Sequence, residues 1–537
     1  MRPTYSKIIL SLALTSCTLH LSGAVCEKTV KRYGFPFYKQ RPQILNIPRR
    51  VAGELQNLFR PNLEYVNGNI SLLAEYTRSF NTEELGQYVF FNGKDTMTFG
   101  PAGDTTTDVA AREFLLGENF TSEVTTTPRV QNFILQFAFR LGLDEWIKNL
   151  YFDLHAPFVW TKWDLNLEEK ILSSGTGYIP QGELGNNNAQ IKAPFKNVIN
   201  AWNGQRTVAE VEDTMNFGRV DGGKTELKLA DMEFVVGYNI VNKDWVHFGL
   251  NFRVIVPTGN NPASEYLFEP IAGDADHTAI GPGIDGHFKL HNTELNDSYS
   301  FYYFAHIYHM LKQEQPRTFD LKENGVGSRY LLFKRFDDLN LYENTIVRGP
   351  NLLTFPVDVK INIEAEAAFI FNYKYCNWSL DIGYDVWGRT SEEISLIDGT
   401  PAESDGTIIS DDSYRFGVKG NTNTVDEQLQ PDEFTGDPTA NYTASKATIK
   451  GTNAEVDIDP TTGEPTQVFL KIADLDIEGA EAPGTFSQKV FFHIGYEWPS
   501  CDLSPFIGLG GEAEFSGKRG TALSQWGIWM KGGFYFE

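Results

Sequence analysis

The sequence predicts an all-β chain folded as a transmembrane antiparallel β-barrel of about twelve strands, within a range of ten to fourteen. Three observations predict it. Apolar and polar residues alternate with period two after residue 69. The alternating segments lie close to the roughly 9 to 11 residues that cross a membrane as a tilted strand, and the connections between them are alternately short and long. The chain has 537 residues, a length that one barrel can absorb.

The N-terminal stretch reads as a signal peptide over 1–24. Arg2 and Lys7 precede the apolar run Ile8 to Leu14, and small or polar residues follow. Two cleavage readings stand: Ser22-Gly23-Ala24, which leaves Val25 first, and Leu14-Thr15-Ser16-Cys17, which has the form of a lipobox and would lipidate Cys17. Residues 25–68 are expected as a periplasmic N-terminal segment. Within it, Ile47 to Phe59 combine the apolar and basic residues of a short helix, either outside the barrel or partly plugging it. Beyond the signal peptide no apolar run approaches the roughly 20 residues of a spanning helix, so any span must be made by strands.

The barrel is expected over 69–537, with strands near 69–80, 131–143, 149–163, 231–241, 245–256, 282–290, 298–311, 355–373, 378–390, 487–498, 505–515 and 525–536. From Asn132 to Leu143, Phe133, Leu135, Phe137 and Phe139 share one face while Gln136 and Arg140 lie on the other. The hairpin around Asn242-Lys243-Asp244 repeats the pattern. From Val357 to Tyr373, Asp358, Lys360, Asn362, Glu364 and Glu366 alternate with apolar residues. Pro157 removes a ladder donor and predicts a bulge or break in its strand.

Tight links near 144–148, 242–244, 291–297, 374–377 and 499–504 fit short periplasmic turns, with both chain ends in the periplasm. The excursions 81–130, 164–230, 257–281, 312–354 and 391–486 fit long extracellular loops. Trp146, Trp160, Trp163, Trp245, Trp378, Trp387, Trp498 and Trp526 fall near strand ends, where amphipathic rings form interfacial girdles. The acidic loop near 391–486 carries Asp411-Asp412, Asp426-Glu427, Asp432-Glu433 and Asp457-Ile458-Asp459. It reads as too polar to build a core, with a short hairpin expected at Gln467 to Ile472.

The last segment is the most specific. Trp526, Ile528, Met530, Phe534 and Phe536 predict a lipid face and Lys531 the lumen, and the strand should pair with Ile70 to Phe80 to close the barrel. It resembles the C-terminal recognition strand of bacterial outer-membrane proteins, although Glu537 follows the final aromatic. Three further stretches, Phe248 to Arg253 with Pro257-Thr258-Gly259, Tyr266 to Ile271, and Ser524 to Trp529, resemble those of uncharacterised porin-like barrels of host-associated Gram-negative bacteria. The resemblance implies cell outer membrane location and a pore, with no substrate or site residues to carry over.

A net charge of −24 and a pI near 4.9 exclude a nucleic-acid partner. The expected partners are outer-membrane lipid and lipopolysaccharide, the barrel-assembly machinery through the last strand, and further copies of the chain. No catalytic constellation, cofactor or metal motif is found, and His306 and His309 fall on opposite strand faces. Cys376 and Cys501 both fall in short turns and are candidates for a disulfide.

The pore-lining candidates are Arg140, His247, Arg253, Asp285, His287, Lys289, Lys360, Glu364, Glu366, Asp381, Asp385, Arg389, His493, Glu512, Glu514 and Lys531. Their mixed signs predict a wet wall rather than a single-sign filter; the alternative is a salt-bridged wall without individual roles. Twelve strands fall between the roughly 8 that fill their interior and the 16 to 18 that leave a channel. The expectation is therefore a narrow pore for passive passage of ions or small solutes, constricted by loop 164–230 through Val198-Ile199-Asn200-Ala201-Trp202. The alternatives are an exposed cap for that loop, and a non-conducting surface protein or a lipid-facing hydrolase for the chain.

Overall fold

The computed structural model describes residues 33–536 apart from 56, 60–64, 181–183, 185–190, 293–296, 398–399, 401, 411–412, 420–442, 445, 452–460, 462–466, 500–502 and 518–519. The signal peptide, Cys17, Cys501 and the four acidic clusters of the 391–486 loop lie outside the described residues. The Cys376–Cys501 pairing lies outside them too; Cys376 is an exposed turn residue with φ 53°.

Twelve antiparallel strands form one closed sheet. They are β1 (Asn67–Ser79), β2 (Arg129–Gly142), β3 (Leu150–Asp164), β4 (Met232–Lys243), β5 (Val246–Val256), β6 (Ala279–Asn292), β7 (Asp297–Thr318), β8 (Thr354–Tyr375), β9 (Trp378–Arg389), β10 (Thr485–Glu497), β11 (Leu503–Ser516) and β12 (Gln525–Phe536). Each strand pairs with its sequence neighbours. β12 returns to β1, with Phe536 opposite Gly68 and Gln525 opposite Ser79. Closure satisfies the backbone groups that an open edge would present to lipid.

Period-two alternation then sorts side chains. Ile528, Leu509 and Phe252 are more than half exposed on the outer surface, while Trp529, Lys531 and Arg253 are buried within. Trp146, Trp245, Trp378 and Trp498 stand exposed around the short-turn rim. Trp163 and Trp387 do not join a girdle. They share strand parity with inward residues and are buried, Trp163 against Tyr38 and Phe268, and Trp387 donating to Glu364 at 2.9 Å.

Two local rules gave way to the ladder. Lys360 faces outward beside Glu393, because β8 gains one residue between Ile361 and Glu364 relative to β7 and the alternation slips by one. Glu364 and Glu366, below this bulge, are buried inward, whereas Val357, Val359 and Ile361 above it turn apolar faces inward. Pro157 causes no bulge against β2. It sits where the opposite edge of β3 changes partner, from β4, which pairs through His155, to the short strand Lys224–Leu229, which pairs from Phe158.

The long loops fold together over the barrel mouth. A four-stranded sheet (Thr96–Gly100, Val109–Ala110, Phe120–Thr126, Leu167–Ser174), a three-stranded sheet (Leu332–Phe336, Tyr342–Arg348, Arg415–Val418) and helices Thr82–Val89 and Val198–Asn203 enclose a continuous apolar core. Trp202 is fully buried there among Phe90, Phe91, Phe99, Phe114 and Tyr330. The Val198 to Trp202 patch is thus the centre of a cap, neither a constriction inside the barrel nor an exposed loop. The 391–486 loop also contributes, through Ile408, Phe416, Ile449, Leu470 and Leu475. Its apolar residues are too sparse to make a core alone but sufficient to complete one that other loops begin. Gln467 to Ile472 forms no hairpin; Lys471 bridges Thr407 and Ile472–Asp474 is a single turn of 3₁₀ helix.

Candidate functional site

The lumen is filled by the described residues of 39–59. The described chain starts in the cap, where Phe35 stacks on Tyr88 and Arg329 donates to the Gly34 carbonyl. It then descends the barrel and reaches β1 at the short-turn end. Tyr33 therefore lies at the long-loop end, and the short helix expected within Ile47 to Phe59 lies inside the barrel.

One short helix sets the geometry inside, α1 (Ile47–Val51). Its Asn46 cap accepts from the Arg49 amide at 3.1 Å, and Pro48 occupies the first turn, where no donor is needed. Five residues suffice because the wall supplies the remaining partners. Ile47 N–H donates to Glu366 at 2.6 Å and Gly53 N–H to Asp381 at 2.7 Å.

The basic side chains of the segment meet carboxylates from separate strands and, for Lys39, from the loop that joins β5 to β6. Arg41 donates through Nη2 to Glu366 at 2.6 Å and Asp385 at 2.8 Å, and through Nη1 to Glu514 at 3.0 Å. Arg49 pairs with Glu75 at 2.6 Å, Arg50 with Glu233, and Lys39 with Asp274. One pair has the opposite sense: Lys531 on β12 meets Glu54 at 2.8 Å and also donates to the Arg49, Arg50 and Ala52 carbonyls. At the lower end the Phe59 ring stacks on His247 at 3.7 Å, under Arg140.

All of these charges are buried. Removing one partner of such a pair costs about 3–5 kcal/mol, because the other is left unsolvated, yet a well-packed apolar filling would hold the segment as well or better. The contacts therefore fix position and register more than they add stability.

The sequence-derived candidates distribute as follows. Glu366, Asp381, Asp385, Glu512, Glu514 and Lys531 touch the segment directly, Glu512 through Asn46. Arg253 pairs with Glu233 at 2.7 Å. Asp285 accepts from Tyr151 and Asn251, His247 and His287 stack on each other, and His493 lies 3.5 Å from Asp381. Glu364 and Arg389 are buried at the mouth, Lys289 is half-buried near the short-turn rim, and Lys360 is outside.

Missed by the sequence were the partners on the segment itself, Lys39, Arg41, Arg49 and Arg50, and the wall residue Glu75. One signal was present: four cations fall within residues 39–50 of a chain that is strongly acidic.

No protein-family model matches the sequence, and no curated protein matches it. Among solved structures, an outer-membrane channel from Pseudomonas putida F1 aligns at 9% identity over 87% of this chain and 96% of its own, with a TM-score of 0.32. A Pseudomonas aeruginosa FadL homologue aligns at 8% identity over 88% and 90%, TM-score 0.26. The transport unit of an Escherichia coli autotransporter aligns at 8% over 91% and 96%, TM-score 0.22. Likeness at this distance assigns no substrate. The chain's own closure, apolar outer face and buried polar interior make it a twelve-stranded antiparallel barrel of the outer-membrane kind.

Proposed function

We propose that the protein is an outer-membrane channel for ions or small solutes, held closed by its own residues 39–59. One observation carries this reading: although Ile44, Ile47, Leu55 and Phe59 make apolar contacts with the wall, the segment's arginines are anchored to it by buried ion pairs with carboxylates of several strands. An ionic seal hydrates as water enters, and solvation then offsets the lost pairing, whereas an apolar seal resists wetting. Passage requires the segment to shift, so the resting protein conducts little.

The cap favours a second reading, a non-conducting surface protein that displays its folded loops. Planar-bilayer recording of the full chain separates the two. Wild type should be nearly silent, and the triple variant Arg41→Gln/Arg49→Gln/Arg50→Gln should show discrete conductance steps. Silence from a correctly folded triple variant would leave only the surface-protein reading.

A further inference from the structure

We infer that the opened lumen selects cations and takes guanidinium or ammonium solutes at the place now filled by Arg41. The inference deepens the channel reading and rests on it. It starts from a division of charge that appears only when the wall and the segment are taken separately.

Among the described residues, ten carboxylates buried on the twelve strands face six guanidinium or ammonium groups of the same strands, Arg140 included. The segment supplies the missing cations, since Lys39, Arg41, Arg49 and Arg50 outnumber its one buried acid, Glu54. The wall is therefore acidic on balance and its occupant basic.

Arg41 marks where that balance is sharpest. Its guanidinium is held by three carboxylates from β8, β9 and β11, a planar group gripped from both of its terminal nitrogens. Asp385 is fully buried, and its second oxygen, Oδ2, has no hydrogen-bond partner. Ser487 donates to Glu514 at 2.5 Å and Gln525 to its other oxygen at 2.9 Å, which fixes that carboxylate in place. When Arg41 leaves, the three acids lose the counter-charge they share, while Glu366 keeps His306 at 3.0 Å and Glu514 keeps Lys489 at 3.9 Å. The incoming group that restores it is another cation carrying several N–H donors. The segment thus occupies the wall as a substrate-like cation would, and it would compete with one.

The test uses the full-length Arg41→Gln/Arg49→Gln/Arg50→Gln chain in bilayers under a potassium chloride gradient, with spermidine as the probe. The expected result is a reversal potential showing a several-fold preference for potassium over chloride. Spermidine should block the current, and adding Asp385→Asn and Glu514→Gln should weaken both effects at least severalfold. A conducting variant that prefers chloride, or shows no preference and no block, overturns the inference and leaves the channel reading intact. A folded variant that stays silent defeats the channel reading. Spermidine binding then decides the inference: a larger rise in melting temperature for the triple variant than for wild type supports it, and equal shifts overturn it. Where the triple variant does not fold, Arg41→Gln alone is put through the same melting comparison with the same two outcomes.

Discussion

The lumen and the cap close one barrel by different balances of charged and apolar contact. Residues 39–59 meet the wall through buried ion pairs, with Arg41 touching three carboxylates, set between apolar contacts of Ile44, Leu45, Ile47, Leu55 and Phe59. Above the mouth, Trp202 is enclosed by five aromatic rings. The border between them is visible within β8, where Glu364 and Glu366 give way across the bulge to Ile361, Val359 and Val357. The difference teaches where motion is cheap. An apolar core loses its stabilisation as soon as water reaches it, whereas charged pairs exchange partners with water at much smaller net cost.

Trp202→Ala should have the largest effect, about 3–5 kcal/mol, because an indole at the centre of the cap leaves a cavity that its neighbours cannot fill. Limited proteolysis should cut the long loops of the variant while the barrel keeps its heat-modifiable migration. Unchanged loop resistance would mean that the cap is not one cooperative core. Arg41→Met should cost about 3 kcal/mol locally by stranding Glu366, Asp385 and Glu514. Amides of residues 39–55 should then exchange hydrogen faster and those of the cap should not. Equal acceleration in both would join the two regions into one unit.

Phe59→Ala removes a buried ring stacked on His247 and should cost about 3 kcal/mol, with faster exchange confined to the lower end of the segment.

A smaller effect concerns Glu269, in the loop that joins β5 to β6. Burial pushes its carboxyl up to about 7, against the donated amides of Ala263 and Ser264. Its folded pKa exceeds its unfolded value, so this group's contribution falls as pH rises through that interval. The cap should therefore resist protease better at pH 5 than at pH 7.5, and Glu269→Gln should flatten the difference. Tyr33→Cys should change stability least of all. Being exposed at the long-loop end, it should react with a membrane-impermeant maleimide on intact cells; labelling only after the envelope is broken would reverse the assigned path of the segment.

Much of the barrel was legible because strand information is local. The period-two faces of Phe133 to Leu141 and of Trp526 to Phe536 follow from the pleat alone, and closure of β12 on β1 follows from the need to satisfy edges in lipid. Lys360 was misplaced for an equally local reason: one inserted residue flips parity, and no residue type near Ile361 announces it. The acidic loop's share in the cap was not legible because its few apolar residues acquire meaning only beside other loops.

The sequence by itself determined the strands, their faces, their long and short connections and the even count that closes them, since each depends on neighbours along the chain. Only the tertiary structure decided what occupies the barrel and what covers it. Arg41 and Glu514 are 473 residues apart, and Trp202 meets rings from two other loops. Contacts at such separation leave no period in the sequence, because what selects them is the charge and volume remaining once the wall has closed.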